Sequence, residues 1–97
     1  MAVMEICRFR LAGDDGEFLR ADYRMQTEFV PNRPGFARRT TATSGDGEWV
    51  TVSLWGSAEE ADAAYADLTG GDDEVGAAYL ALIDRSTFER RCYALLD

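Results

Sequence analysis

Hydrophobic and polar positions alternate in two runs on either side of a glycine-rich tetrapeptide. The segment they occupy, residues 34–60 (PGFARRTTATSGDGEWVTVSLWGSAEE), organises the rest of the chain. Successive side chains of a strand point to opposite faces, so a half-buried strand alternates. In residues 49–55 one face carries Val50, Val52 and Leu54, and the other Trp49, Thr51, Ser53 and Trp55. The second face mixes small hydroxyls with large aromatics, a composition suited to something other than a dry core. Residues 36–43 form the partner strand, and Ser44-Gly45-Asp46-Gly47 supplies the residues that tolerate positive φ in a hairpin loop. Ser57-Ala58-Glu59-Glu60 then reads as a capping box, with the Ser57 hydroxyl accepting from the amide three residues on. Strand, turn, strand and helix follow one another here.

Residues 3–11 (VMEICRFRL) read as a first strand, with Glu5, Cys7, Phe9 and Leu11 on one face and Met4, Ile6, Arg8 and Arg10 on the other. Neither face is polar throughout, the pattern of a central strand covered on both sides. Asp14 and Glu17 make a second capping box, and behind it Phe18, Ala21, Met25 and Phe29 recur at helical spacing, with Leu19 and Val30 flanking and Tyr23 and Gln26 at the edge of the stripe. This helix is expected to stop before Pro31 and Pro34. The helix opened by Ser57 buries Ala61, Ala64, Tyr65 and Leu68 and ends at Gly70-Gly71. Val75, Ala78, Tyr79 and Leu82 predict a short helix over 73–83, and residues 87–96 (TFERRCYALL) a last strand.

The order β-α-β-β-α-β, with one extra short helix, is the ferredoxin-like arrangement: an α+β fold with a four-stranded antiparallel sheet and its helices on one face. Right-handed crossovers place the first and third strands in the centre and the last strand beside the first. Trp49 and Trp55 are expected on the face that the helices leave open, too much aromatic surface to leave wet. A second copy packed sheet against sheet would cover them, with Trp49 at the dimer edge, so a homodimer is expected.

Ninety-seven residues make one domain of modest core. The formal charge of −8 repels phosphate backbones and anionic lipid, which argues against nucleic-acid and membrane-surface roles. No apolar run approaches the ~20 residues of a membrane span. Every basic residue is Arg, and His is absent. The commonest general base and metal ligand at neutral pH is therefore missing, which excludes a Ser-His-Asp triad and a His-ligated haem. No metal-ligand pattern occurs. Cys7 and Cys92 have no CxxC spacing and no leader-like segment ahead of them, so they read as free thiols in a reducing cytoplasm.

Six of the ten arginines, Arg8, Arg10, Arg38, Arg39, Arg90 and Arg91, fall on three of the strands, while acids crowd the helices and loops. Each adjacent pair sends one guanidinium to either face. Arg8, Arg39 and Arg91 are candidates for binding a carboxylate or enolate through bidentate contacts. The other reading is internal ion pairing with Glu5 and Glu89 on neighbouring strands, since buried charges usually occur paired.

Pro34-Gly35-Phe36, Glu48-Trp49-Val50 and Leu54-Trp55-Gly56-Ser57 resemble the corresponding segments of the dimeric α+β barrel superfamily, and within it the antibiotic-biosynthesis-monooxygenase type. The resemblance covers nearly the whole chain. It implies a cavity between the sheet and its helices or partner, lined by Trp55, that takes a small aromatic or anionic molecule. The haem-degrading members use an Asn on the first strand and a His on a helix. Here that strand offers Cys7 or Arg8 and no His exists. Two functions follow from the resemblance: a small-molecule-binding barrel, or a cofactor-independent monooxygenase acting on a phenolic or polyketide-like substrate. No cofactor is expected under either, and no catalytic residue is singled out.

Overall fold

A computed structural model describes residues 1–96. The three alternating runs become strands β1 (Val3–Leu11), β2 (Phe36–Thr43) and β3 (Trp49–Trp55), with the bounds the periodicity predicts. Together with β4 (Ile83–Ala94) they form one antiparallel sheet in the order β2-β3-β1-β4. In the β2–β3 loop Gly45 and Gly47 take φ of +88° and +100°, left-handed values open to glycine at no steric cost.

Helix α1 (Asp15–Arg24) starts at Asp14, whose carboxylate accepts from the Glu17 amide at 3.0 Å. The helical path does not stop before Pro31. It widens into a π-helical turn, Met25–Phe29, and tightens into a 3₁₀ turn, Val30–Asn32, which carries Pro31 in its first positions. Proline is tolerated there because the amide it lacks has no partner in a first turn. Met25, Phe29 and Val30 are all buried along this irregular stretch, while Leu19 and Tyr23 are exposed.

Helix α2 (Ala58–Thr69) is capped by Ser57, whose hydroxyl accepts from the Glu60 amide and donates to the Glu60 carboxylate, each at 3.1 Å. Helix α3 (Glu74–Ala81) is capped by Asp73 and buries Val75, Gly76, Tyr79 and Leu80, whereas Ala78 is exposed and Leu82 half-buried. Strand β4 begins at Ile83, four residues ahead of the position that alternation predicts. Its first residues pair as Leu11 with Ile83 and Arg10 with Asp84, after which the register shifts. The Arg10 amide donates to the Thr87 hydroxyl at 2.8 Å across this bulge. A bulge interrupts the two-residue period, which hides the strand's start from a periodicity argument.

The helices cover one face of the sheet, and register decides which strand residues lie beneath them. In β1, Val3, Glu5, Cys7 and Phe9 are buried; they stand opposite Trp55, Ser53, Thr51 and Trp49 of β3, and directly paired residues share a face. Trp49 and Trp55 are therefore 8 % and 3 % exposed under the helices, not on the open face. Trp49 packs on Phe18 at 5.0 Å between ring centroids instead of sitting at a dimer edge. The open face carries the aliphatic set, Val50, Val52 and Leu54, alongside Met4 and Ile6, all half-buried in the single chain. The core has two clusters. One is built around Phe9, Phe18, Trp49 and Tyr79, and the other joins Val3 and Trp55 to Ala61 and Ala64 of α2.

Candidate functional site

The two clusters leave a narrow cavity between them, with a free volume of about 50 Å³. That volume holds roughly three or four waters. Its floor is the sheet: Glu5 and Cys7 of β1, Arg39 of β2, Thr51, Ser53 and Trp55 of β3, and Phe88 of β4. Its roof comes from the π-helical turn with Met25 and Phe29, from α2 with Ala64, Tyr65 and Leu68, and from α3 with Tyr79. Alternation explains the floor. The hydroxyls of Thr51 and Ser53 lie between the two indoles on one face of β3, a polar strip where an aliphatic one would make a dry core.

Two polar systems face one another across this space. In the first, the Trp55 indole N–H donates to Glu5 Oε1 at 2.9 Å, and the Arg90 guanidinium donates to Glu5 Oε2. Arg90 also donates to Asp62 of α2 at 2.9 Å and lies 4.5 Å from the centre of the Tyr65 ring, which stacks on Phe88. In the second, Arg39, its side chain only 4 % exposed, donates from one terminal nitrogen to Asp22 Oδ1 at 2.7 Å and to the Tyr79 hydroxyl at 3.3 Å. Its other terminal nitrogen donates to Gln26 at 3.2 Å and Thr41 at 3.3 Å. Each guanidinium thus meets a carboxylate, the arrangement that buried charge requires.

Burial acts on two further titratable groups of the cavity. The Cys7 thiol is pushed up to about 12, first by burial and then by the Glu5 carboxylate beside it. Burial likewise raises the Tyr79 phenol well above its ordinary range. Both stay protonated at neutral pH, as donors and not as nucleophiles.

Of the four residues marked as ligand contacts, the structure brings Trp55 and Arg39 into one cavity and places Arg8 and Arg91 on the opposite face of the sheet. Arg8 is half-exposed there, 3.9 Å from Glu48 and 3.6 Å from Glu89. Arg91 is exposed, with its guanidinium 6.0 Å from the Tyr93 ring. In the adjacent pair on β4 it is Arg90 that reaches the cavity side, because β4 pairs Arg90 with Cys7 and Arg91 with Ile6. Ion pairing with Glu5 and Glu89 accounts for Arg90 and Arg8. Sequence reasoning missed Asp22. Its signal was its spacing, four residues after Phe18 and three before Met25, which puts a carboxylate on the buried stripe of α1.

No family model matches the chain, and no curated protein matches it. Solved structures do. SnoaB, a cofactor-independent oxygenase from Streptomyces nogalater, superposes with a TM-score of 0.79 at 24 % identity, over 99 % of this chain and 94 % of its own. A candidate antibiotic biosynthesis monooxygenase from Caulobacter crescentus gives 0.75 at 13 % identity over 99 % and 91 % of the two chains. Another from Chloroflexus aurantiacus gives 0.70 at 17 % identity over 100 % and 95 %. This chain shares the fold of these proteins, a four-stranded antiparallel sheet with its helices on one face. At these identities the likeness concerns the backbone, and the function rests on the cavity. Among the described residues no helix is long and apolar enough to cross a membrane, and no group of His, Cys, Asp and Glu could hold a metal ion.

Proposed function

We propose that this protein binds a small aromatic molecule in the cavity between its sheet and helices, with Trp55 as one wall, and that it does so as a homodimer in the cytoplasm. The observation that carries the reading is the composition of the cavity. Trp55, Phe88, Tyr65, Met25 and Phe29 supply apolar and aromatic surface, while Glu5, Arg39, Thr51 and Ser53 of the floor and Tyr79 of the roof supply polar groups. Pockets for small molecules combine an apolar lining with a few placed polar groups in this way. A ring-sized ligand exceeds the free volume, so binding requires the lining side chains to move apart. The half-buried aliphatic set Met4, Ile6, Val50, Val52 and Leu54 on the sheet's open face supports the dimer. The two free thiols suit a reducing compartment.

Native mass spectrometry of gently purified, untagged protein tests this directly. The reading expects a dimer that carries a small-molecule mass, or that gains the mass of added phenol or acetophenone. A chain that takes up neither ligand at millimolar concentration contradicts it.

A second reading, cofactor-independent oxygenation of a phenolic or anthrone-like substrate, is favoured by the likeness to SnoaB. In such a reaction the substrate loses a proton, and its carbanion reduces dioxygen. One oxygen atom becomes the new carbonyl as a methylene is oxidised, and the other leaves as water. The buried Tyr79 hydroxyl, which accepts from Arg39, would donate to the enolate oxygen. Oxygen uptake with an anthrone, abolished in Trp55→Ala with the dimer mass unchanged, is the expected result. No uptake by the intact protein with any phenol or anthrone removes this reading.

A further inference from the structure

The charges around the cavity cancel in pairs. Arg39 is matched by Asp22, and Arg90 by Glu5 and, at the surface, Asp62. Both terminal nitrogens of Arg39 are engaged, one with Asp22 and Tyr79 and the other with Gln26 and Thr41. An entering carboxylate would meet no free cation. It would face the Glu5 carboxylate and give up its own hydration, which buried anions do only against an unspent positive charge.

Tyr79 stands apart in this cluster. It is 3 % exposed and lines the cavity, and its hydroxyl oxygen accepts from Arg39 at 3.3 Å. The hydroxyl proton has no acceptor among the described residues, although buried hydroxyls usually find one. Accepting a hydrogen bond from a guanidinium polarises the phenol and makes its proton a stronger donor. The proton is therefore available to an oxygen atom of whatever occupies the cavity. Asp22 lies behind Arg39, away from the cavity lining, and still decides the charge that the cavity presents.

We infer that the Asp22–Arg39–Tyr79 cluster sets the specificity of the cavity: Asp22 cancels the Arg39 charge, so the site takes an uncharged ring bearing a carbonyl or hydroxyl oxygen, held by the Tyr79 hydroxyl, and rejects carboxylates. This rests on the binding reading above and narrows its ligand from an aromatic molecule to a neutral aromatic one that bears an oxygen. Asp22 and Tyr79 are the residues that select, and neither contributes a bond-making step.

The test compares acetophenone and benzoate, two ligands of nearly equal shape that differ in charge, by calorimetry at neutral pH. The intact protein is expected to bind acetophenone at least about tenfold tighter than benzoate, a gap of roughly 1.4 kcal/mol. Tyr79→Phe should weaken acetophenone by about fivefold or more while leaving toluene, which has no oxygen, unchanged. Asp22→Asn, which frees the Arg39 charge without changing its shape, should reverse the preference towards benzoate. Benzoate binding to the intact protein as tightly as acetophenone overturns the inference while sparing the binding reading, and binding of neither ligand overturns both. If Asp22→Asn does not fold, the intact-protein ratio and Tyr79→Phe still decide, and equal losses of acetophenone and toluene in Tyr79→Phe count against it.

Discussion

At the scale of single residues, burial governs the chemistry of this site more than residue type does. Cys7 illustrates it. Its thiol moves from an ordinary 9.0 to about 12, chiefly because burial penalises the thiolate. Folding therefore favours the protonated form. As pH rises past 9 the unfolded chain loses this proton and the native chain keeps it, so stability is full below pH 9 and falls until about pH 12, by roughly 1.4 kcal/mol per pH unit. Tyr79, raised in the same direction by burial, adds to the loss above its ordinary 10.0. Urea unfolding at pH 8, 9 and 10 should show this decline, and Cys7→Ala should flatten it between 9 and 10. An unchanged slope in that variant would mean that Cys7 is solvated in the native protein. Cys92, exposed on β4, should be the one thiol that reacts with a disulfide reagent before unfolding.

At the scale of elements, the joint between the hairpin and α2 holds the cavity's best-defined wall in place. The Gly56 amide donates to the Gly35 carbonyl at 2.8 Å, and Glu60 folds back to the Ser57 hydroxyl just beyond Trp55. Gly35 takes φ of +82°, and a side chain there would run into the Glu60 carboxylate. Gly35→Ala is expected to cost about 2 kcal/mol through the left-handed backbone and the broken cap together. Chemical denaturation measures this; a loss below a few tenths would show that the joint yields freely.

The same elements show what could be read from the sequence. Strands β1, β2 and β3, the caps at Asp14 and Ser57, and the strand order follow from period, capping chemistry and crossover handedness. The facing of β3 did not follow, because both of its faces are apolar enough to be covered and a strand's own pattern does not say by what. The register with β1 settles it by opposing Trp49 to Phe9. The start of β4 was hidden by its bulge. In the site, Trp55 and Arg39 were legible as residues out of keeping with a dry core. Asp22 was not, since a carboxylate on a helix is ordinarily solvated and only its partner on β2 explains its burial.

At the scale of the whole molecule, the site and the open sheet face lie back to back on β1 and β3. Met4, Ile6, Val50, Val52 and Leu54 form the apolar centre of that face, with Arg8, Glu48, Glu89 and Arg91 around it. A sheet-to-sheet dimer of standard size would bury about 800 Å² per chain. Val52→Asp places an unpaired carboxylate at its centre and should convert dimer to monomer in sedimentation, with an unchanged far-ultraviolet spectrum. A dimer that survives this substitution uses another surface.

NMR reads most directly where a ligand sits on this protein. In ¹⁵N-labelled protein titrated with acetophenone, the Trp55 indole N–H, identified by its persistence in Trp49→Phe, should shift together with the amides of Ala64, Leu68 and Tyr79. The amides of Arg8, Val50, Val52 and Arg91 should stay in place. Shifts confined to that second group would put the ligand on the open sheet face and contradict the assignment of the cavity as the binding site.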